Sequence, residues 1–375
     1  MAPKRVLKSL IQPHLLDMEP YQGVEPPEVV AARFGIPPEQ VAKLDANENP
    51  YGASPKVASA LAACDRFSIY PDPLQRDARQ ALAAYAGVDA SRVIAGAGCD
   101  ELIDLLMRLT VGVGDRVIDL PPTFGMYSVG ARMQGGHLIP VPRDEELFEV
   151  RLDAVKKAVD ARTKIIFVCN PNNPTGTLTP ESAIRQLAGL GPLVVVDETY
   201  HEFSGFTAAP LLDEHENLVV LRSFSKWAGL AGIRLGYGMM SPDLVQQLMA
   251  IKPPYNLSVA SEVALYASLD DTDVLLQRVR TIVEERVRLE GFLHGLPGIH
   301  VFPSKGNFLL CRINTMPAKQ VQEHLARRGL FVRYFSTPPI QDCVRITVGL
   351  PEHTDRIVAA LSEVLHPTQS ARQRS

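Results

Sequence analysis

Short runs of β-branched residues alternate with amphipathic helical stretches through the first two thirds of this chain, and that alternation constrains the fold most. Runs at Arg92–Ala95, Asp115–Leu120, Lys164–Cys169, Leu193–Val196, Leu218–Leu221 and Ile233–Gly238 read as strands. Between several of them lie helical patterns, such as Asp100–Thr110 and Leu152–Asp160. Alternation of this kind predicts an α/β sheet that is mostly parallel.

After Pro253-Pro254 the texture changes. A long helical pattern runs from about Ser261 to Leu293, broken near Asp270-Asp271. Strand-like runs follow at Phe308–Ile313, Leu330–Tyr334 and Val344–Val348, with helices near Ala318–Arg328 and His353–Leu365. A smaller α+β domain is expected there, with the long helix as a bridge into it. At the other end, Pro13, Pro20, Pro26, Pro27, Pro37 and Pro38 break the chain into an irregular arm with one short helix over Pro27–Phe34. A chain of 375 residues is too long for one small core, so two domains are expected. The division predicted is an arm and start of the small domain over 1–45, a large domain over 46–270 and the small domain over 271–375.

A net charge of −4 argues against nucleic acid or an anionic membrane as the main partner. Five scattered cysteines with no C-x-x-C pair favour reduced thiols in a cytoplasmic protein over a disulfide framework or a zinc site. The segment Met1–Leu16 lacks an uninterrupted apolar core, and no charge-free run is long enough to span a bilayer. A cytoplasmic enzyme acting on small molecules is the expectation.

Four motifs carry chemistry. Ser223-Phe224-Ser225-Lys226 follows a predicted strand, with Gly229, Gly232 and Arg234 beyond it. A lone lysine is usually a surface residue. One at the end of a strand in such a sheet instead points into the ligand-binding crevice. Burial or a cationic neighbour makes its amine a nucleophile toward carbonyls, and the two serines with Arg234 supply donors for a phosphate.

Asp197 ends the run Leu193–Val196. Read alone it could cap a helix, but a carboxylate closing an apolar strand is costly without a cation, and a protonated pyridine nitrogen would serve. Asn170-Pro171-Asn172-Asn173-Pro174-Thr175-Gly176 also follows a strand. It is a turn by composition, and it could also hold one amide rigidly against a ring oxygen. Gly96-Ala97-Gly98-Cys99-Asp100-Glu101 opens a helix, where backbone N–H groups approach phosphate closely. Its spacing is not the G-x-G-x-x-G of dinucleotide sites.

In this order, the four motifs resemble those of the fold-type I, class I/II aminotransferases that depend on pyridoxal 5'-phosphate, from Tyr21 to about Leu361. The resemblance implies a three-layer α/β/α large domain plus a smaller α+β domain. It also implies that Lys226 holds the cofactor as a Schiff base and moves protons. Asn173 and Tyr200 would contact the cofactor's phenolate oxygen and Asp197 its ring nitrogen, while Phe124 would stack on the ring. Cys99 and Asp100 through their backbone, Ser223, Ser225 and Arg234 would hold the phosphate.

Finer features resemble the histidinol-phosphate aminotransferase branch. Asp45-Ala46-Asn47-Glu48-Asn49-Pro50-Tyr51-Gly52 is similar to its Asn-Glu-Asn-Pro signature, and the resemblance implies that Tyr51 reaches the cofactor phosphate of a partner subunit in a homodimer with shared sites. Pro20-Tyr21-Gln22 resembles the arm over the substrate, where Tyr21 would assist a phosphate. The motifs around Arg333 and Arg345 match two arginine motifs of the branch. They imply that Arg345 takes an α-carboxylate and Arg333 a distal anion. Thr199 departs from the alanine frequent in that branch. Alternatives with the same motifs are an aromatic amino acid aminotransferase, a decarboxylase using the same cofactor, and a non-catalytic binding module.

Overall fold

The computed structural model describes residues 7–18 and 23–365. Tyr21, assigned above to the substrate, lies outside them. The strands are β1 (Ala42–Leu44), β2 (Val93–Gly96), β3 (Arg116–Asp119), β4 (His137–Pro140), β5 (Thr163–Cys169) and β6 (Leu193–Asp197). They continue with β7 (Leu218–Ser223), β8 (Gly236–Met239), β9 (Ile299–Val301), β10 (Phe308–Ile313), β11 (Leu330–Tyr334) and β12 (Cys343–Thr347). Seven form one sheet in the order β2-β8-β7-β6-β5-β3-β4, and five form another in the order β1-β11-β12-β10-β9.

The larger sheet is parallel apart from β8, which runs antiparallel to both of its neighbours. Its central strands are buried on both faces, and side chains alternate between two cores. Ile166, Val168, Val194 and Val196 pack on one side, with Ile184 and Leu187 of helix Glu181–Ala188. Ile165, Phe167, Val195 and Val219 pack on the other, with Leu102 and Leu106 of helix Cys99–Thr110. Burying every second residue in each direction is what a sheet covered by helices on both faces requires. The expected three layers are therefore present.

The second sheet has its own core, built around Leu309, Cys311, Val344 and Ile346. Helix Thr272–His294 joins the two units: Leu275, Val279 and Ile282 enter the first core, while Leu289 and Leu293 enter the second. At the front of the chain, β1 pairs in parallel with β11, so the segment after β1 crosses from the second sheet to the first.

The strand expected over Ile233–Gly238 begins only at Gly236. Ala231–Ile233 is a single 3-10 turn, and Arg234 adopts a left-handed backbone with φ +59°. Strands β1, β4 and β9, three or four residues long, escape the sequence reading. β4 is also an exposed edge strand ending in proline, with too few apolar residues to declare itself.

Candidate active site

Strands β5, β6 and β7 end side by side, and a cleft of about 480 Å³ opens beyond those ends. This is where an open α/β sheet presents loops to a ligand. Parallel pairing puts Cys169, the last residue of β5, opposite Asp197, the last residue of β6, and pairs Asp197 in turn with Leu221 of β7. The Asn170–Gly176 loop, Asp197 and the Ser223–Lys226 loop thus converge although far apart in sequence. Of the residues given a cofactor or substrate role from the sequence, those described all line this cleft except Tyr51.

Asp197 is almost wholly buried. Its Oδ2 accepts a hydrogen bond from the Tyr127 hydroxyl at 2.7 Å, and its Oδ1 accepts from the Thr199 hydroxyl at 2.7 Å and the Thr199 N–H at 3.1 Å. Burial pushes its carboxyl above the usual range, and these donors oppose the shift. Among the described residues no lysine, arginine or histidine forms an ion pair with it.

Lys226 lies in the loop after β7, with its Nζ donating to the Ala46 carbonyl at 2.9 Å. Burial, followed by the charge of Arg345, lowers its ammonium pKa to about 8. An appreciable neutral fraction at ordinary pH follows, as a nucleophilic lysine requires.

At the mouth of helix Cys99–Thr110 no side chain caps the first turn. Gly98 has φ +83°, and a Cβ there would stand 2.6 Å from Arg234 Nη2. Only glycine leaves this helix end open beside the guanidinium. Arg234 Nη2 also donates to Asp100 Oδ2 at 2.9 Å, and Ser223 Oγ accepts from the Ser225 N–H at 3.1 Å. The acidic Glu101 turns away from the cradle, its Oε2 accepting from the Ala97 N–H at 2.7 Å.

The opposite wall comes from the second sheet. Arg333 of β11 and Arg345 of β12 are direct cross-strand partners, and both line the cleft. Like charges in that register repel. Arg345 Nη1 donates to Asn173 Oδ1 at 2.5 Å, and Nη2 donates to the Asp45 carbonyl. Its guanidinium carbon stands 5.4 Å from the Phe308 ring centroid and 6.0 Å from that of Phe335. With Oδ1 engaged, the Asn173 amide nitrogen is the end left for the cleft.

Three contributors went unassigned in the sequence. Tyr127 belongs to the same motif as Phe124, which takes an edge-on contact with it at 5.6 Å, and only its spacing of three from Phe124 hinted at a shared site. Thr199, noted above only as a departure, supplies two of the bonds to Asp197. Asn47 donates to the Tyr200 hydroxyl at 2.9 Å across 153 positions, and nothing local signals that contact. Tyr51, by contrast, sits outside the cleft of its own chain, where burial and the carboxylates of Glu285 and Glu352 raise its phenol pKa.

The family profile described as aminotransferase class I and II matches residues 39–361. The chain belongs to the class I and II aminotransferases. This aminotransferase is 47% identical to a histidinol-phosphate aminotransferase of Roseiflexus castenholzii, over 96% of this chain and 99% of that one. It is 42% identical to a chloroplastic histidinol-phosphate aminotransferase of Nicotiana tabacum, over 94% of this chain and 86% of the other. Among solved structures it is similar to histidinol-phosphate aminotransferase from Sinorhizobium meliloti in complex with pyridoxal-5'-phosphate, with a TM-score of 0.85, 27% identity, and coverage of 96% and 98%.

The cofactor of the aminotransferase is pyridoxal 5'-phosphate, and the residues present fit it. A buried carboxylate held by two hydroxyls, with no cationic partner among the described residues, suits a protonated ring nitrogen. An uncapped helix end kept open by Gly98 beside Arg234 suits a phosphate. A half-buried amine of lowered pKa suits a carbonyl.

Proposed function

We propose that this aminotransferase exchanges the amino group between L-histidinol phosphate and glutamate, by way of imidazole-acetol phosphate and 2-oxoglutarate, in histidine biosynthesis. The observation that carries the reading is the facing pair Arg333 and Arg345 in the cleft of a chain close to histidinol-phosphate aminotransferases over nearly its full length. From paired backbone positions both side chains line the cleft, which thus presents two cationic groups of the kind that bind carboxylate and phosphate. Both amino-group partners bring two anionic ends or one anionic end beside a polar ring.

Pyridoxal 5'-phosphate supplies the carbonyl that captures the amino group and the electron sink for charge at Cα. The chain supplies position and proton transfer. Lys226 Nζ takes the proton from the substrate Cα and returns it on the other side of the exchange, its lowered pKa leaving it able to do both. Asp197 keeps the ring nitrogen protonated, while Asn173 and Tyr200 donate to the ring oxygen. Phe124 covers the ring face. The Cys99 and Asp100 N–H groups, Ser223, Ser225 and Arg234 hold the phosphate. Arg345 binds an α-carboxylate, and Arg333 binds the distal anion.

We place the enzyme in the cytoplasm as a homodimer with shared sites. No helix among the described residues is long and apolar enough to cross a membrane. Phe67, Ile69 and Tyr70 are each 60% or more exposed, and Tyr70 stacks on the exposed Tyr255 at 4.3 Å. A second copy of the chain covers an apolar face of that kind. The deciding experiment for substrate compares kcat/KM for histidinol phosphate, phenylalanine and tyrosine with 2-oxoglutarate as acceptor. Preference for histidinol phosphate supports the reading, and preference for phenylalanine moves it to an aromatic amino acid aminotransferase.

A further inference from the structure

We infer that Asn47 and Thr347 form a hydrogen-bond relay that fixes the direction in which Tyr200 gives its phenolic proton, making both residues positioning residues for the cofactor. The inference rests on Tyr200 being a cofactor residue, as proposed above.

The relay starts from a group whose polarity is not adjustable. The Asn47 main-chain N–H, which can only donate, bonds to Thr347 Oγ1 at 3.0 Å. Thr347 is buried at the end of β12, so its one hydroxyl proton needs an acceptor nearby. Among the described residues, the acceptor bonded by that hydroxyl is Asn47 Oδ1, at 3.0 Å. With Oδ1 thus occupied as acceptor, the other end of the amide is its NH2 group. Asn47 Nδ2 donates to the Tyr200 hydroxyl at 2.9 Å.

The consequence lies at the last link. A phenol has one proton, and its oxygen already accepts from Asn47. Tyr200 is therefore left to donate, and its remaining direction is the cleft it lines. Reversing the Asn47 amide would leave the Thr347 proton without an acceptor and let Tyr200 turn its proton away from the site. The amide is thus held by chemistry on its far side, in the second sheet, rather than by the cleft.

The backbone is built around this arrangement. Asn47 has φ +53°, a left-handed conformation that asparagine tolerates better than most residues. Its carbonyl accepts from Asn307 Nδ2 at 3.1 Å, so donor, acceptor and side chain are all engaged at a site only 1% exposed. The two residues before it serve the same cleft: the Ala46 carbonyl accepts from Lys226 and the Asp45 carbonyl from Arg345. Arg345, Cys169 and Asp197 act electrostatically on Tyr200, and none of them belongs to the relay.

The test is a pH titration of the cofactor's visible absorbance in the resting holoenzyme, with cofactor Kd measured in parallel by reconstitution of the apoprotein. The proteins compared are the parent, Tyr200→Phe, Thr347→Val, Thr347→Ser and the Tyr200→Phe/Thr347→Val double variant. Donors to the ring oxygen stabilise its negative charge, so Tyr200→Phe raises the pH midpoint, by about one unit for one hydrogen bond. Thr347→Val, nearly the same shape without the hydroxyl, is expected to move the midpoint the same way by at least half as much and to weaken cofactor binding. Thr347→Ser keeps the parent midpoint, and the double variant matches Tyr200→Phe alone. A parent-like midpoint in Thr347→Val overturns the relay, as does a further shift when Thr347→Val is added to Tyr200→Phe. No shift in Tyr200→Phe itself overturns the cofactor reading of Tyr200 beneath it.

Discussion

At the scale of single residues, Lys226 and Arg345 govern what can be measured first. The Lys226 amine is neutral above about pH 8, because burial and Arg345 disfavour its charged form. Covalent uptake of the cofactor by apoprotein is expected to speed up as pH rises through about 8 and then level off, followed by the growth of visible absorbance. Lys226→Ala is expected to lose that absorbance altogether. Arg345→Gln removes charged hydrogen bonds, each contributing about 1.5–3 kcal/mol. The KM for the amino donor should rise about 10- to 100-fold, with Arg345→Lys a poor substitute because it lacks the planar fork. Lys226, Asp197, Asn173 and Arg234 were legible in the sequence because each sits in a local motif at a strand or helix end. Asn47 and Thr347 were not, since their contact spans 300 positions and depends on the second sheet docking against the first.

At the scale of elements, the ends of β6 and β7 are tied together behind the site by an ion pair. Arg222 Nε of β7 donates to Glu198 Oε2 at 3.0 Å and its Nη2 donates to the Thr207 hydroxyl at 2.7 Å, with both charged side chains buried. Burial raises the Glu198 carboxyl pKa, and the guanidinium opposes that shift. Arg222→Met would leave a buried carboxylate without its cation. A loss of about 3–5 kcal/mol in unfolding free energy is expected by denaturant titration. The parallel strands were readable because burial on both faces makes them apolar throughout, as in Val194-Val195-Val196. β8 was misplaced by three residues because Ile233 belongs to the turn that aims Arg234, and side-chain type alone does not report backbone hand.

At the scale of the whole molecule, the division proposed at residues 270 and 271 falls between helices Val259–Leu269 and Thr272–His294. The second helix carries apolar residues into both cores, so the two units are mechanically joined along one rod. The homodimer with shared sites is tested by mixing two defective proteins. Lys226→Ala and Tyr51→Ala are unfolded together, refolded together and titrated with cofactor. If Tyr51 of the partner subunit completes each cleft, the mixed dimer regains one site with parent affinity. If recovery is absent, Tyr51 acts only within its own chain. No local pattern in the sequence indicated which face of the chain stays apolar and exposed, because Phe67, Ile69 and Tyr70 would read equally well as core.

The cleft also holds two sulfur atoms, and their protonation decides which group wins a contest for an aldehyde. Cys99 and Cys169 both line it and both are buried. Burial pushes the Cys169 thiol up to about 12 and holds the Cys99 thiol well above its ordinary value. Burial thus holds both thiols in their protonated form at neutral pH, while it favours the free amine of Lys226. A carbonyl bound there would meet an amine made more nucleophilic by burial and two thiols made less so. One cause, removal from water, therefore activates the amine of this cleft and quiets its sulfur.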